Sequence, residues 1–348
     1  MRLGELALAL VDIRSVSGEE QALTGWLVEQ VRRQPHLEVV HEQADALVFG
    51  PGGSPDVLLA GHSDTVPEQG NLPGRLADGF LHGLGASDMK GALAVMLALA
   101  SELGTKRPAL NPLFVIFGGE ELPQSNSVLE RLFGACPSLL EARLAVMMEP
   151  TANRLQAGCL GNIKAELVFE GVAAHSARPW LGRNAIHEAI RALQGAVSLE
   201  PHDVVLEGLR FREVLSVTEI QGGIANNVIP DQVICGLNFR YAGSRSPAQA
   251  EARLRELVGG AGRLTVVGNA PSAPVPAGNE LLDRLRQAGD LPMEPKQAWT
   301  PVAEFAAHGL DAINFGPGDP QMAHRRDEMI AVDAMSTSLE VLRRFLCG

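Results

Sequence analysis

The sequence predicts an α/β domain with a small α+β domain inserted into it. Three observations carry this expectation. Three short apolar runs each end in acidic or histidine residues, the pattern changes to β-α-β-β-α-β between about Asn162 and Ala270, and Pro271, Pro274 and Pro276 mark a hinge-like return. The expected boundaries are 1–161 with 271–348 for the discontinuous domain and 162–270 for the insert.

Val57-Leu58-Leu59-Ala60-Gly61 is a buried-strand pattern running into His62, Asp64, Thr65 and Pro67. Leu113 to Phe117 runs in the same way into Gly118-Gly119-Glu120-Glu121, and Ala145 to Met148 into Glu149-Pro150-Thr151. Open α/β sheets place their sites at the C-terminal ends of strands. Between the first two strands, Asp88 precedes an apolar helical stretch from Met89 to Leu99 and is expected at its mouth. In the insert, Ile163 to Val172, Leu215 to Ile220, Val233 to Tyr241 and Leu264 to Val267 read as strands, with helices over Asn184 to Val197 and Pro247 to Val258. That order is the two-layer sandwich of ferredoxin-like folds. There is no repeat or low-complexity tract.

Taken singly, these polar residues mean little: an Asp before a helix is usually a cap, and a loop His is usually solvated. Together, His62, Asp64, Asp88, Glu120, Glu121, Glu149 and His324 offer imidazole nitrogen and carboxylate oxygen, the donors that borderline Zn²⁺ takes. One His and one further carboxylate per ion with a shared Asp gives His62 and Glu149 on one ion, Glu121 and His324 on the other, and Asp88 between them. Asp64 and Glu120 are then left over beside the metals, as a residue to orient a His ligand and as a general base for water.

The ordered motifs Gly-His-Ser-Asp-Thr-Val-Pro, Gly-Leu-Gly-Ala-Ser-Asp-Met-Lys-Gly, Gly-Glu-Glu and Met-Glu-Pro-Thr resemble the dinuclear zinc amidohydrolase superfamily. That superfamily includes aminoacylases, acetylornithine deacetylases, carboxypeptidases of the same fold and succinyl-diaminopimelate desuccinylases. The resemblance spans about Leu6 to Leu346 and is nearest the actinobacterial type of desuccinylase. It runs through Gly70-Asn71-Leu72-Pro73, Ala174-His175-Ser176-Ala177-Arg178, Asn227-Val228-Ile229-Pro230-Asp231, Asn238-Phe239-Arg240 and Phe315-Gly316-Pro317-Gly318-Asp319-Pro320.

The resemblance implies a mixed-sheet catalytic domain of zinc aminopeptidase type whose insert is a lid and dimerisation domain. It puts His62, Asp88, Glu121, Glu149 and His324 on the metal ligands, Asp64 on the orienting Asp and Glu120 on the catalytic Glu. In dimeric relatives the residue matching His175 reaches into the partner's active site and donates to the developing oxyanion. Asn227 and Arg240 match substrate-carboxylate positions; Arg178, in the His175 loop, and Thr300 join them as candidate substrate-binding residues. The implied cofactors are two Zn²⁺, with Co²⁺ or Mn²⁺ possible in one site.

N-succinyl-LL-2,6-diaminopimelate is the expected substrate, with another N-acyl amino acid or a dipeptide as the alternative. A non-catalytic homologue is disfavoured, because Glu120 would be retained without binding a metal. Two departures bear on the substrate: Thr300 is followed by Pro301, where close relatives usually carry Asp, which removes a carboxylate and a backbone donor, and Cys159-Leu160-Gly161 lacks the paired arginines of the Gram-negative branch, as actinobacterial-type sequences do.

At 348 residues, with 46% hydrophobic and 20% charged residues, the chain is long enough for two domains and a large core. A net charge of −12 argues against nucleic acid or an anionic membrane as partner and requires local Arg for an anionic substrate. The four scattered cysteines, Cys136, Cys159, Cys235 and Cys347, suit a reducing cytosol. Met1 to Leu6 carries an early acid and no signal-peptide pattern, so a cytoplasmic protein is expected. His36, His41, His82, His187, His202 and His308 are read as structural or surface residues, His82 being the nearest of them in sequence to Asp88.

Overall fold

A computed structural model describes residues 2–104, 108–122, 127–260 and 262–348. Met1 lies outside them. The chain divides into two compact units, Met1–Ala157 with Pro276–Glu294 and Glu304–Gly348, and Gly158–Val275 with Pro295–Ala303. The second unit is therefore wider than the expected 162–270. Cys159 and Ala273 exchange backbone hydrogen bonds, and Leu160 N–H donates to the Ala298 carbonyl, so both flanks and the segment around Thr300 pack with the insert.

The first unit is built on an eight-stranded mixed sheet. Its order is Glu38–Gln43, Ala46–Gly50, Pro112–Phe117, Val57–His62, Leu144–Met147, Ala312–Asn314, Leu155–Ala157 and Met293–Pro295. Pro112–Phe117, Val57–His62, Leu144–Met147 and Ala312–Asn314 run parallel. Every residue of these four strands is buried, which is why they read as continuous apolar runs rather than alternations. The helix Gly91–Glu102 is apolar almost all round because it is enclosed, packing against Leu3–Val11 and Val332–Cys347. A three-stranded sheet of Met329–Ala331, Phe80–His82 and Arg75–Ala77 accompanies them. His82 lies in its middle strand opposite Met329.

The second unit carries a five-stranded antiparallel sheet in the order His202–Leu206, Leu209–Gly222, Gln232–Tyr241, Gly161–Glu170, Arg263–Ala270. Without the first of these, the order is that of a ferredoxin-like sandwich. The helices Ala185–Val197 and Pro247–Val258 join Ile163, Leu167, Phe169, Leu193, Leu237, Phe239 and Leu254 in one core. Asn184 caps the first helix by accepting from Ile186 and His187 N–H. Ser246 and Gln249 form a capping box on the second, with Pro247 in its first turn and Gly259 in the left-handed region after it. The extra strand was not expected. It pairs with Leu209–Glu213 through a tight turn in which Glu207 and Gly208 have φ of 50° and 80°.

One buried carboxyl in the first unit makes stability pH-dependent. Glu304 is 3% exposed and accepts from Ser127 Oγ at 2.7 Å, beside an ion pair of His308 with Glu130 at 2.8 Å. Burial first, and Glu130 after it, push the Glu304 carboxyl up to about 7, against the Ser127 hydrogen bond and His308. A carboxyl with a raised folded pKa contributes stability that is present at pH below its unfolded value and is lost as pH rises through about 7. Glu304→Gln, which keeps an acceptor for Ser127, should match wild type in urea unfolding at pH 4, below the ordinary carboxyl value of 4.5. At pH 8 it should exceed wild type by roughly 1–3 kcal/mol. An equal difference at both pH values would contradict this account.

Candidate metal centre

Three of the four parallel strands, Pro112–Phe117, Val57–His62 and Leu144–Met147, deliver polar residues at their C-terminal ends. Ser63 N–H donates to the Phe117 carbonyl and Met148 N–H to the Ala60 carbonyl, so the hydrogen-bond ladder continues as far as the residues that carry the site. After Pro112–Phe117 the chain turns through Gly118 and Gly119. A Cβ on Gly118 would lie 2.8 Å from the Glu20 carboxyl, and Gly119 has φ +70°. The tight turn is held from two sides. Glu20 Oε1 accepts from Gly119 N–H at 3.1 Å and Gly18 N–H at 2.8 Å. Asp64 accepts from Glu120 N–H at 3.0 Å and Glu121 N–H at 3.1 Å, and from Ser17 Oγ at 2.7 Å. The carboxylate of Asp64 thus fixes the backbone that presents both glutamates. Its carbonyl lies 3.0 Å from His62 Nδ1 and its Oδ1 3.5 Å from the same nitrogen.

Asp88 does not sit at the mouth of a helix. The helix begins at Gly91, and Asp88 and Met89 are non-helical, with φ −124° and −138° inside the turn Ala86–Lys90. Asp88 N–H is instead taken by the Glu328 carboxylate at 3.0 Å. Its Oδ1 lies 3.0 Å from His62 Nε2 and its Oδ2 3.5 Å from His324 Nε2. His324 Nε2 is also 2.7 Å from Glu121 Oε1.

His62, Asp88 and Glu149 form one group whose ligand atoms lie within 4.8 Å of one another; Asp88, Glu121 and His324 form a second, and His62, Glu120 and Glu121 a third. All seven of the expected ligand and acid residues therefore belong to the first unit and converge. Two imidazoles and several carboxylates at this spacing fit borderline divalent cations.

Electrostatics favour a cation here. Burial first, then the charges of Glu149, Glu121 and Asp88, push the Glu120 carboxyl well above the usual range, with His62 opposing. Burial disfavours a charged His62, yet its hydrogen bonds to Asp64 and Asp88 hold its pKa well above normal. The Glu121 hydrogen bond, against burial and with Asp88 and Glu328 helping, pushes His324 up to about 9. Burial would raise Asp64, but His62, Ser17 and the Glu121 N–H bring it down to about 2. Crowding by carboxylates thus raises both histidines, and a cation would offset the same negative charge.

The other expected residues lie in the second unit. Ala174–His175 pairs with Val228–Ile229, and Ser176 N–H donates to the Asn227 carbonyl at 2.9 Å, which brings His175, Arg178 and Asn227 into one loop cluster. His175 Nδ1 accepts from Ala177 N–H at 3.0 Å. Arg240 lies mid-sheet between Val214 and Asn162, donating from Nε to Asn238 Oδ1 at 2.9 Å. Thr300 is buried, and its Oγ1 finds no partner among the described residues.

Ser17, Glu20 and Glu328 organise the site and were not expected. Their side-chain partners, apart from Gly18, lie between 47 and 243 residues away, so no local pattern marks them. The sole hint at Glu328 is an acid just before an apolar strand, four residues past His324.

The sequence model described as Peptidase family M20/M25/M40 matches residues 58–347. Succinyl-diaminopimelate desuccinylase of Corynebacterium glutamicum is 36% identical over 350 residues, covering 98% of this chain and 95% of that protein. Aminopeptidase PepT of Bacillus cereus superposes with a TM-score of 0.80 at 19% identity, over 99% of this chain and 97% of that one. The Bacillus subtilis YXEP protein, described as a dinuclear metal binding peptidase, superposes with a TM-score of 0.71 at 15% identity, over 99% and 96%. These two superpositions show a shared fold.

Asp64→Asn would set an amide NH₂ against one of the two N–H groups that its oxygens now accept. Chemical unfolding of the metal-free variant should show a loss of about 1–3 kcal/mol. Unchanged stability would mean that the carboxylate does not hold the Glu120–Glu121 turn.

Proposed function

We infer the reaction from membership: this chain belongs to Peptidase family M20/M25/M40 and is a hydrolase. We propose that it hydrolyses an N-acyl amide, N-succinyl-LL-2,6-diaminopimelate, to succinate and LL-2,6-diaminopimelate. The observation that carries this reading is Asp88, whose two oxygens face the two histidines His62 and His324. The acyl group is supported by the Corynebacterium glutamicum relative.

His62, Asp88 and Glu149 would hold one divalent cation, and Asp88, Glu121 and His324 the other, with Zn²⁺ the ion that suits these donors and Co²⁺ or Mn²⁺ able to replace it. Bound there, the ions supply Lewis-acid polarisation of the amide carbonyl. Glu120 takes the proton of the attacking water at its carboxylate and returns it to the departing amine, so that one water is consumed per amide cleaved. Asp64 holds His62 and the Glu120–Glu121 turn in place. His175, from the second chain of a homodimer formed through the inserted unit, donates to the oxyanion. Arg178, Asn227, Arg240 and Thr300 bind the substrate's polar groups, with the arginines answering its carboxylates. A cytoplasmic setting accords with the free cysteines, and no helix among the described residues is long and apolar enough to cross a membrane.

Glu120→Gln should keep its full metal content and lose turnover by a factor on the order of 10²–10⁴; near-normal activity at full metal content would remove Glu120 from the role of base. The substrate is tested by kcat/KM of the zinc-loaded protein on the succinyl compound, N-acetylornithine and a dipeptide. A preference of at least about a hundredfold, near 3 kcal/mol, for the succinyl compound is expected. Preference for one of the others would reassign the acyl group and leave the hydrolytic site in place.

A further inference from the structure

Three backbone N–H groups of the turn that carries Asp88 converge on one carboxylate. Glu328 is 2% exposed; its Oε2 accepts from Gly85 N–H at 2.9 Å, and its Oε1 from Ser87 N–H at 2.8 Å and Asp88 N–H at 3.0 Å. Its own carbonyl accepts from Gly83 N–H at 3.0 Å. These donors need an outside partner, because the turn is not helical at Asp88 and Met89 and Gly85 lies at φ +75°. A buried N–H without an acceptor costs about 1–3 kcal/mol. Glu328 is itself anchored by the strand that follows it, Met329–Ala331, which pairs with Phe80–His82. It also lies four residues after His324, on the same loop.

We propose that Glu328 is a positioning residue for the dinuclear site, resting on the two-metal reading above. One side chain ties the segment of Asp88 to the segment of His324, and these two residues share the second ligand group with Glu121. Asp88 can turn one oxygen toward each histidine only while its backbone is held, and Glu328 is the group that holds it. Removing the carboxylate frees the turn to pair with water and lets Asp88 rotate away from His324. The ion held with His324 is then bound more weakly than the ion held with His62 and Glu149.

The test titrates metal-free wild type, Glu328→Gln and Glu328→Ala with Co²⁺, following stoichiometry, affinity and the visible spectrum, with circular dichroism to confirm folding. Wild type should take up two ions. Glu328→Ala should bind the weaker ion at least about tenfold less tightly with an altered spectrum, as for other groups that orient metal ligands. Glu328→Gln, which keeps one oxygen for Ser87 and Asp88, should fall between. At saturating Co²⁺, kcat should drop while KM stays within about twofold. A folded Glu328→Ala with wild-type affinities and spectrum, altered only in thermal stability, would overturn the proposal; should that variant fail to fold, the same result for Glu328→Gln would do so. Wild type that takes up fewer than two ions would overturn the dinuclear reading itself, and this proposal with it.

Discussion

The constraint that organises the first unit is the need to neutralise several carboxylates drawn together out of water. Asp88, Glu120, Glu121 and Glu149 gather around two histidines at the C-terminal ends of buried strands. Unpaired charges in such a setting would shift their pKa values or force the site apart. The neighbouring carboxylates raise the pKa of both histidines, and burial together with those charges raises that of Glu120. A pair of divalent cations removes the repulsion, and the donor types and their spacing suit such ions.

The surrounding structure holds these groups in register against their repulsion. Parallel strands fix the depth of His62, Glu120 and Glu149; Asp64 and Glu20 clamp the glycine turn from either side; and Glu328 clamps the turn of Asp88. Each clamp is a buried carboxyl group whose oxygens accept backbone N–H groups. Lys90 stands beside them, buried, with its ammonium on the Ile13 carbonyl at 2.6 Å. Burial pushes its pKa down to about 7 while the charges of Glu328 and Asp12 oppose that shift.

What could be read from sequence was whatever is written locally. The strands at Val57–His62, Pro112–Phe117 and Leu144–Met147 are apolar runs that stop at a ligand, so element and candidate ligand appear in the same few residues. The capped helices of the second unit are legible for the same reason, Asn184 and Ser246 standing directly ahead of amphipathic stretches. Reading Asp88 as a helix-mouth residue failed because the competing partner of its N–H, Glu328, is 240 residues away. The strand His202–Leu206 escaped notice because Glu207-Gly208 does not spell a common hairpin turn, although both residues take left-handed angles. Thr300 joined the second unit through backbone pairing near Leu160 and Ala298, which no composition signal marks.

The most direct test of a shared Asp88 between two ions is the metal stoichiometry of single ligand variants. Metal-free wild type, His62→Ala, His324→Ala and Asp88→Ala would be equilibrated with limiting free Zn²⁺ and the bound metal counted by atomic emission. The account predicts two ions per chain for wild type, one for each histidine variant, and weakened binding at both positions for Asp88→Ala. Retention of two ions by His324→Ala, or a wild type that never exceeds one, would contradict it.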